Sequence, residues 1–149
     1  MQLLKPILII LSFPVLLCAQ QEEFKLTFNH QALPVKQLQK TGDFYIEILG
    51  FEEIEVTASQ IPPKRWLINH EGKQLHLITS EDEAPNTIVN HMAFSTKDIE
   101  KVVAHLQKNK VDYWTDEGKK NTVRIRKDGV RQVKIQDPDG HWIEINEAY

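Results

Sequence analysis

Cysteine is almost absent from this chain, which has 149 residues and a single cysteine, Cys18. One thiol cannot form an intramolecular disulfide, and thiolate metal sites usually need several cysteines. Cys18 also lies in an N-terminal segment that we expect to be removed from the mature chain. A disulfide-stabilised fold, a cysteine nucleophile and a thiolate metal site are then excluded. Any metal chemistry must use His, Asp and Glu.

Basic blocks and basic stripes are also missing. The formal net charge is −3, with 18 Lys and Arg against 21 Asp and Glu spread along the chain. This charge pattern argues against binding to nucleic acid or to an anionic membrane surface. The 41% hydrophobic and 26% charged residues suit one compact globular domain.

A long hydrophobic run occurs at the N-terminus. Residues 1–20 contain one charge, Lys5, then the apolar run 6–17 and the small residue Ala19. This order is typical of a secretory signal, and the run is shorter than the ~20 residues that span a bilayer. We therefore predict a signal at residues 1–20 and a single mature domain at 21–149. The mature protein would be periplasmic or secreted, without membrane insertion.

Cys18 offers an alternative, because a cysteine near the end of a signal is the lipid-modified residue of bacterial lipoproteins. The residue before it is Leu17, where small residues are expected. Cleavage after Ala19 or Gln20 is therefore the favoured interpretation.

The chain contains an internal repeat. The pattern apolar-Asn-His-x-Ala-apolar occurs at 28–33 and again at 89–94. One constant shift aligns Asn29 with Asn90, His30 with His91, Ala32 with Ala93 and Lys36 with Lys97. Repeats indicate a duplicated structural unit. We therefore divide the mature chain into module one, about 24–80, and module two, about 87–149.

Each module is predicted to have the order βαβββ. Apolar residues at helical spacing predict helices at about 37–49 and 97–109. The remaining alternating segments predict strands at about 51–57, 64–69, 73–79, 112–115, 122–127, 130–136 and 142–147. The segment 112–115 would be an additional strand or long loop of module two, and 80–87 would link the modules.

The last strand of each module carries a polar residue at the same place. "LHLI" at 75–78 resembles "IEIN" at 143–146, and His76 matches Glu144. Strand alternation places the flanking Leu or Ile residues on one face and His76 or Glu144 on the other. If the aliphatic faces cover the helices, His76 and Glu144 point to the opposite face of the sheet. Packing alone does not account for two such metal-competent residues.

Three segments resemble the vicinal oxygen chelate superfamily, which includes glyoxalase I, extradiol dioxygenases and bleomycin-resistance proteins. They are "FNHQALPVKQLQKTGDFYIEILGF", "NHMAFSTKDIEKVVAHL" and "DPDGHWIEI". The resemblance implies an α+β fold in which two βαβββ modules form an open, cup-shaped mixed β-sheet with helices outside. It also implies a homodimer and a small-molecule substrate.

The resemblance further implies a divalent metal site with ligands from the first and last strand of each module. Carried to this sequence, the ligands are His30, His76, His91 and Glu144. This donor set suits Zn, Ni, Fe or Mn. His76 departs from the pattern, because glyoxalase I-like members typically have Glu there. It could complete the site or act beside a three-ligand one.

The leading functional hypothesis is an exported, glyoxalase I-like isomerase or lyase. Its metal would chelate vicinal oxygens of the substrate and stabilise an enediolate-like or oxyanion intermediate. Glu144 would be the general base and His76 the reserve candidate. Glutathione is cytosolic, so an exported chain is unsuited to the lactoylglutathione reaction itself, and the substrate stays open.

Two alternatives belong to other classes. An Fe(II) dioxygenase would use His30, His91 and Glu144 as a two-histidine, one-carboxylate site, with His76 off the metal. A binding protein of the bleomycin-resistance kind would hold a ligand without turnover, although such members usually lack the metal ligands.

Other polar residues have weaker assignments. Arg131 is a candidate for binding a substrate carboxylate or phosphate, with a rim salt bridge as the alternative. Trp142 is in phase with Glu144 and is predicted to line the cup. His105 is predicted to be solvated on its helix, and His141 to be a loop residue after the "DPDG" turn.

Overall fold

The computed structural model describes residues 25–82 and 87–148, and this part of the chain contains two helices and eight strands. In chain order they are β1 (His30–Val35), α1 (Leu38–Leu49), β2 (Glu52–Ile54), β3 (Lys64–Ile68), β4 (Gln74–Thr79), β5 (His91–Ser95), α2 (Ile99–Lys108), β6 (Arg124–Ile125), β7 (Arg131–Gln136) and β8 (Trp142–Asn146). Both modules therefore have the βαβββ order expected from the repeat. The predicted signal, residues 1–20, lies outside the described residues.

Each module forms its own four-stranded mixed sheet. The strand orders are β1-β4-β3-β2 and β5-β8-β7-β6. In both sheets the first strand lies at an edge and pairs in parallel with the last strand, and the other pairs are antiparallel. The parallel pairing follows from the helix, since a helical crossover is the usual way to return to a parallel neighbour.

The segment 112–115, expected to be an additional strand or a long loop, forms no continuous strand. Trp114 makes only isolated bridges, to Lys120 and Lys134. The chain turns back after Thr115, where Gly118 has a φ of 80° and donates its N–H to the Thr115 carbonyl. This tight turn returns the backbone at once, so no continuous ladder develops.

The aliphatic face of each sheet packs in the core. Leu75 and Leu77 of β4 and Ile143 and Ile145 of β8 are all buried, as the alternation predicts. The helices contribute buried side chains to the same core cluster; these include Tyr45 from α1, and Ile99 and Leu106 from α2. Neither helix of the described chain has the length and hydropathy of a membrane-spanning segment.

The loop between β7 and β8 joins the two modules. Asp139 accepts hydrogen bonds from the backbone N–H groups of Lys36 and Gln37, at 2.9 and 3.2 Å, and from Thr41 Oγ1 at 2.6 Å. No side chain of its own segment caps the start of α1. Asp139 therefore supplies from module two the negative charge and the acceptors that a helix N-terminus needs.

Candidate functional site

The two Asn-His-x-Ala repeats place equivalent residues on the polar faces of the sheets. In module one, Ala32 of β1 is the register partner of His76 in β4. In module two, Ala93 of β5 is the register partner of Glu144 in β8. The histidine two residues before each alanine shares its face. Each repeat therefore presents a histidine, a small residue and a last-strand donor side by side.

In module one the two histidines are stacked. The rings of His30 and His76 have centroids 4.3 Å apart at an interplanar angle of 15°, and Trp66 covers the other side of His76 at 4.2 Å and 8°. His76 Nε2 lies 2.9 Å from Gln74 Oε1, and His30 Nδ1 lies 2.7 Å from Asn29 Oδ1. Burial, and secondarily the nearby His30, lowers the pKa of His76 and favours its neutral form.

In module two the histidine faces the carboxylate. His91 Nε2 lies 3.4 Å from Glu144 Oε2, and His91 Nδ1 lies 3.0 Å from the Ile88 carbonyl. If Nδ1–H donates to that carbonyl, Nε2 presents a lone pair to the carboxylate, and the space between them suits a cation. Two donors bound at about 2.1 Å to one tetrahedral ion lie about 3.4 Å apart. The separation of this pair therefore matches that of two ligands of one divalent metal ion.

Glu144 is fixed by neighbouring amides. Its Oε1 accepts a hydrogen bond from Asn146 Nδ2 at 2.7 Å, and its Oε2 accepts one from Gln132 Nε2 at 3.2 Å. The residue is buried. With both oxygens held, the carboxylate is oriented toward His91.

A lysine that the sequence did not single out completes this cluster. Lys134 Nζ lies 3.5 Å from Glu144 Oε2, 3.0 Å from Asp116 Oδ1 and 3.2 Å from the Ile88 carbonyl. Burial lowers the pKa of Lys134, and the Glu144 carboxylate opposes that effect. Lys134 and Glu144 are direct partners across the β7–β8 pair. Trp66 and His76 hold the corresponding places in module one.

The cluster borders an open cavity of about 460 Å³. Its lining includes His91, Asp116, Arg124, Gln132, Lys134 and Glu144. Arg124 is ion-paired with Asp116 and lies 3.5 Å from Glu117. The cavity wall therefore combines a fixed carboxylate, an imidazole and cationic groups, which can bind and orient a small oxygenated molecule.

The structure does not bring all four predicted metal ligands together. Within residues 25–82 and 87–148, no group of three or more His, Cys, Asp or Glu side chains is placed to hold one metal ion. The ligands instead form two pairs, His30 with His76 and His91 with Glu144. We call these pairs half-site one and half-site two.

The predicted substrate-binding residues have different surroundings. Arg131 donates to both carboxylate oxygens of Glu147, at 2.6 and 2.8 Å, and is also paired with Glu100. This is the salt-bridge alternative stated for Arg131. Trp142 packs edge-to-face on Trp114 at 5.6 Å and lines a smaller cavity of about 180 Å³ with His91.

His141 follows the "DPDG" turn as predicted, but it is buried. Its Nδ1 lies 2.8 Å from Asp137 Oδ2, an oxygen that also accepts the Tyr45 hydroxyl hydrogen bond at 3.0 Å. Burial, and then the charge of Asp137, raise the pKa of Tyr45. The sequence of the "DPDG" turn does not predict that His141 is buried. His105, expected to be solvated, is exposed and contacts the Ile48 carbonyl at 3.1 Å.

Comparison with known proteins agrees with this architecture. Residues 27–145 match the family model of the Glyoxalase/Bleomycin resistance protein/Dioxygenase superfamily. Glyoxylase I 4 of Arabidopsis thaliana is 26% identical over 126 residues, which cover 80% of this chain and 69% of that protein.

Solved structures show the same fold. A glyoxalase family protein from Bacillus anthracis has a TM-score of 0.68 at 21% identity, covering 85% of this chain and 98% of that one. Lactoylglutathione lyase from Agrobacterium tumefaciens has a TM-score of 0.62 at 17% identity, covering 83% and 95%. The predicted fold, two βαβββ modules in an open arrangement, is confirmed. The chain belongs to the Glyoxalase/Bleomycin resistance protein/Dioxygenase superfamily.

Proposed function

We propose that this protein is a metal-dependent enzyme of the glyoxalase I-like type that acts on a small oxygenated substrate in isomerase or lyase chemistry. The observation that carries the proposal is the 3.4 Å separation of His91 Nε2 and Glu144 Oε2, which suits two ligands of one divalent ion. Family membership and the similarity to glyoxylase I 4 support it.

The metal would be held by His30, His76, His91 and Glu144. When bound, a divalent ion of the Zn, Ni, Fe or Mn type supplies Lewis-acid polarisation of a substrate oxygen. Imidazole and carboxylate donors suit these ions. Half-site one must rearrange to contribute, because the two parallel imidazole rings do not direct their nitrogens to one point.

Glu144 is the proposed general base. Asn146 and Gln132 hold its two oxygens, so the carboxylate keeps one orientation, and it would accept a proton from the substrate when it is displaced from the metal. His76 is the reserve candidate, since its lowered pKa leaves the imidazole neutral and able to accept a proton.

We further propose that the complete site forms between two copies of the chain. Half-site one and half-site two do not meet in a group of three ligands within the described chain. The first strands β1 and β5 are the edge strands of their sheets, and the family resemblance implies a homodimer. A homodimer would join half-site one of one protomer to half-site two of its partner.

Metal analysis of the purified protein by plasma mass spectrometry tests the proposed metal. We expect about one equivalent of a transition metal per chain, lost in His91→Ala and Glu144→Ala and kept in the exposed-turn control His70→Ala. A protein that contains no metal and takes up none would contradict the proposed function.

Mixing two variants that do not bind metal tests whether the site is shared between two copies of the chain. We expect that neither His30→Ala nor Glu144→Ala binds metal alone, because each lacks one half-site. In a mixed dimer, the intact half-site one of the Glu144→Ala chain meets the intact half-site two of the His30→Ala chain. Recovery of metal binding after co-refolding supports a shared site. Continued absence of binding in a verified mixed dimer would place the site within one chain.

A second candidate function is an Fe(II) dioxygenase with ligands His30, His91 and Glu144. The observation that favours it is the position of His76, whose ring is enclosed between His30 and Trp66 and whose Nε2 faces Gln74. Retained metal in a His76→Phe variant, with iron as the metal, would favour this candidate.

Export is also proposed, on the composition of residues 1–20. An exported enzyme would meet a substrate other than one made from cytosolic glutathione. Mass spectrometry of the protein recovered from the periplasm or medium would test this, with cleavage after Ala19 or Gln20 expected. An uncleaved chain in the cytoplasm would contradict it.

A further inference from the structure

Lys134 brings a positive charge into half-site two. Only 5% of its side chain is exposed, and its ammonium lies 3.5 Å from Glu144 Oε2 and 3.2 Å from His91 Nδ1. Glu144 Oε2 is also the oxygen that faces His91 Nε2. The lysine therefore neutralises the carboxylate atom that the metal ion would use.

The two modules place different residues opposite the polar residue of their last strand. The register partner of His76 is Trp66, whose neutral ring stacks on a neutral imidazole. The register partner of Glu144 is Lys134, a cation beside an anion. A buried carboxylate needs a partner of opposite charge, whereas a neutral histidine does not. Lys134 thus compensates the charge of the buried Glu144 carboxylate when no metal ion does so.

A metal ion and the Lys134 ammonium would repel each other at this distance. Two like charges a few ångströms apart in a partly buried site interact strongly, and a divalent ion doubles the effect. Metal binding at Glu144 therefore requires the ammonium to move away from Oε2.

Asp116 provides the place to which the ammonium can move. Its Oδ1 already lies 3.0 Å from Lys134 Nζ, closer than Glu144 does, and its side chain is 30% exposed. Asp116 follows Thr115, where the chain turns back, and is not part of a strand. A small rotation of the lysine would exchange two carboxylate partners for one, Asp116, which is also ion-paired with Arg124.

We propose that Lys134 is an internal cation that competes with the metal ion for Glu144, and that its transfer to Asp116 sets the metal affinity of half-site two. This inference rests on the metal function proposed above. It gives Lys134 and Asp116 a role as positioning residues that act on the metal through Glu144, with no contact to the metal themselves.

Zinc affinity, measured by competition with a chromophoric chelator, tests this role in the purified protein without any activity assay. Lys134→Met removes the charge and keeps the stem, so it should bind Zn²⁺ roughly tenfold more tightly or better. Lys134→Arg keeps the charge and should bind no more tightly than the parent. Lys108→Met, on the exposed face of α2, removes a distant charge and should leave the affinity unchanged.

Asp116→Asn distinguishes a positioning role from direct ligation. With Lys134 present, loss of Asp116 should weaken zinc binding, because the ammonium has no second carboxylate. In the Lys134→Met background the same change should have no effect, which is a coupling measurable by a double-mutant cycle. Weakening of equal size in both backgrounds would mean that Asp116 acts on the metal independently of Lys134, as a ligand or through its ion pair with Arg124, and would overturn the proposal.

The outcomes separate this inference from the proposed function. Zinc binding by the parent with no gain in Lys134→Met overturns the role of Lys134 and leaves the metal function standing. Zinc binding by Lys134→Met alone supports the competition and overturns the metal function of the natural chain. Absence of zinc binding in every variant overturns both.

Discussion

Ala93 lies directly opposite Glu144 in the parallel β5–β8 pair, so the two side chains share one face of the sheet. Its repeat counterpart, Ala32, holds the same position beside His76. Because both alanines are exposed, a larger side chain at either position would occupy the polar face and would not disturb the core. The explanation that we propose for the alanine two residues after each histidine is access to the last-strand residue.

Ala93→Leu should block half-site two without unfolding the protein. We expect the affinity for added Zn²⁺ to fall by roughly tenfold or more, because the branched side chain covers Glu144, while the melting temperature changes little. Isothermal titration calorimetry and thermal unfolding would measure the two effects. Ala104→Leu, on the exposed side of α2, is the matched control and should bind metal like the parent. Equal affinity in both variants would refute the explanation.

The pKa of His76 should lie below its usual value of 6.5 in the metal-free protein, because of burial and then the nearby His30. The folded state then binds fewer protons at this ring than the unfolded state does. Well above pH 6.5, His76 is neutral in both states and contributes no pH dependence to stability. As the pH falls from about 6.5 through the lower pKa of the folded state, the unfolded state takes up the proton first, so His76 lowers the stability of the fold.

Ring-proton NMR titration of metal-free protein measures this pKa directly. His30→Ala removes the second cause and uncovers the ring, so the pKa of His76 should rise toward 6.5. His70→Ala changes an exposed turn and should leave it unchanged. A His76 pKa at or above 6.5 in the parent protein would show that the stacked geometry does not persist in solution.

The fold could be predicted because its causes are local and occur twice. The alternation of Leu75 with Leu77, and of Ile143 with Ile145, separates a core face from a polar face without any tertiary information. The segment 112–115 is the loop rather than the strand of its two predicted alternatives, because a turn after Thr115 reverses the chain. Strand propensity does not encode the backbone partners of such a turn.

The site could be predicted only in part, because some of its contacts depend on how neighbouring strands align. The repeat identified four metal-competent residues and their faces, and the family resemblance implied that they are ligands. The pairing of His91 with Glu144 follows from the parallel β5–β8 ladder. Lys134 was missed because its contact with Glu144 depends on the β7–β8 register, which a single sequence does not specify. The burial of His141 was missed because it depends on the carboxylate of Asp137.

Gly42→Ala should destabilise the protein although alanine is the better helix former. A Cβ at position 42 would clash with Arg65 Nη1. That guanidinium is held by Asp43 at 2.8 Å and by Glu53 at 2.7 Å, so it must give up contacts to move. We expect a net loss of about 1 kcal/mol in the free energy of unfolding, measured by urea denaturation.

Truncation of Arg65 should reverse the effect of Gly42→Ala on the free energy of unfolding. In an Arg65→Ala background the clash is gone, and Gly42→Ala should stabilise the protein by up to about 1 kcal/mol through helix propensity alone. A stabilising effect of Gly42→Ala in the parent chain as well would mean that the Arg65 ion pairs are too weak to hold the side chain over α1.

Asp139→Ala should loosen the contact between the two modules. Asp139 caps α1 from the other module through Lys36, Gln37 and Thr41, so its removal leaves backbone N–H groups and a hydroxyl without their acceptor. The loss of a helix cap costs about 1–2 kcal/mol. Urea denaturation should show that loss, and hydrogen exchange should be faster at the amides of Lys36 and Gln37, which directly precede α1. Glu47→Ala removes an exposed acid from the same helix and should change neither quantity. Unchanged exchange in Asp139→Ala would mean that water replaces the carboxylate at no cost, and that the modules are held together by their apolar contacts.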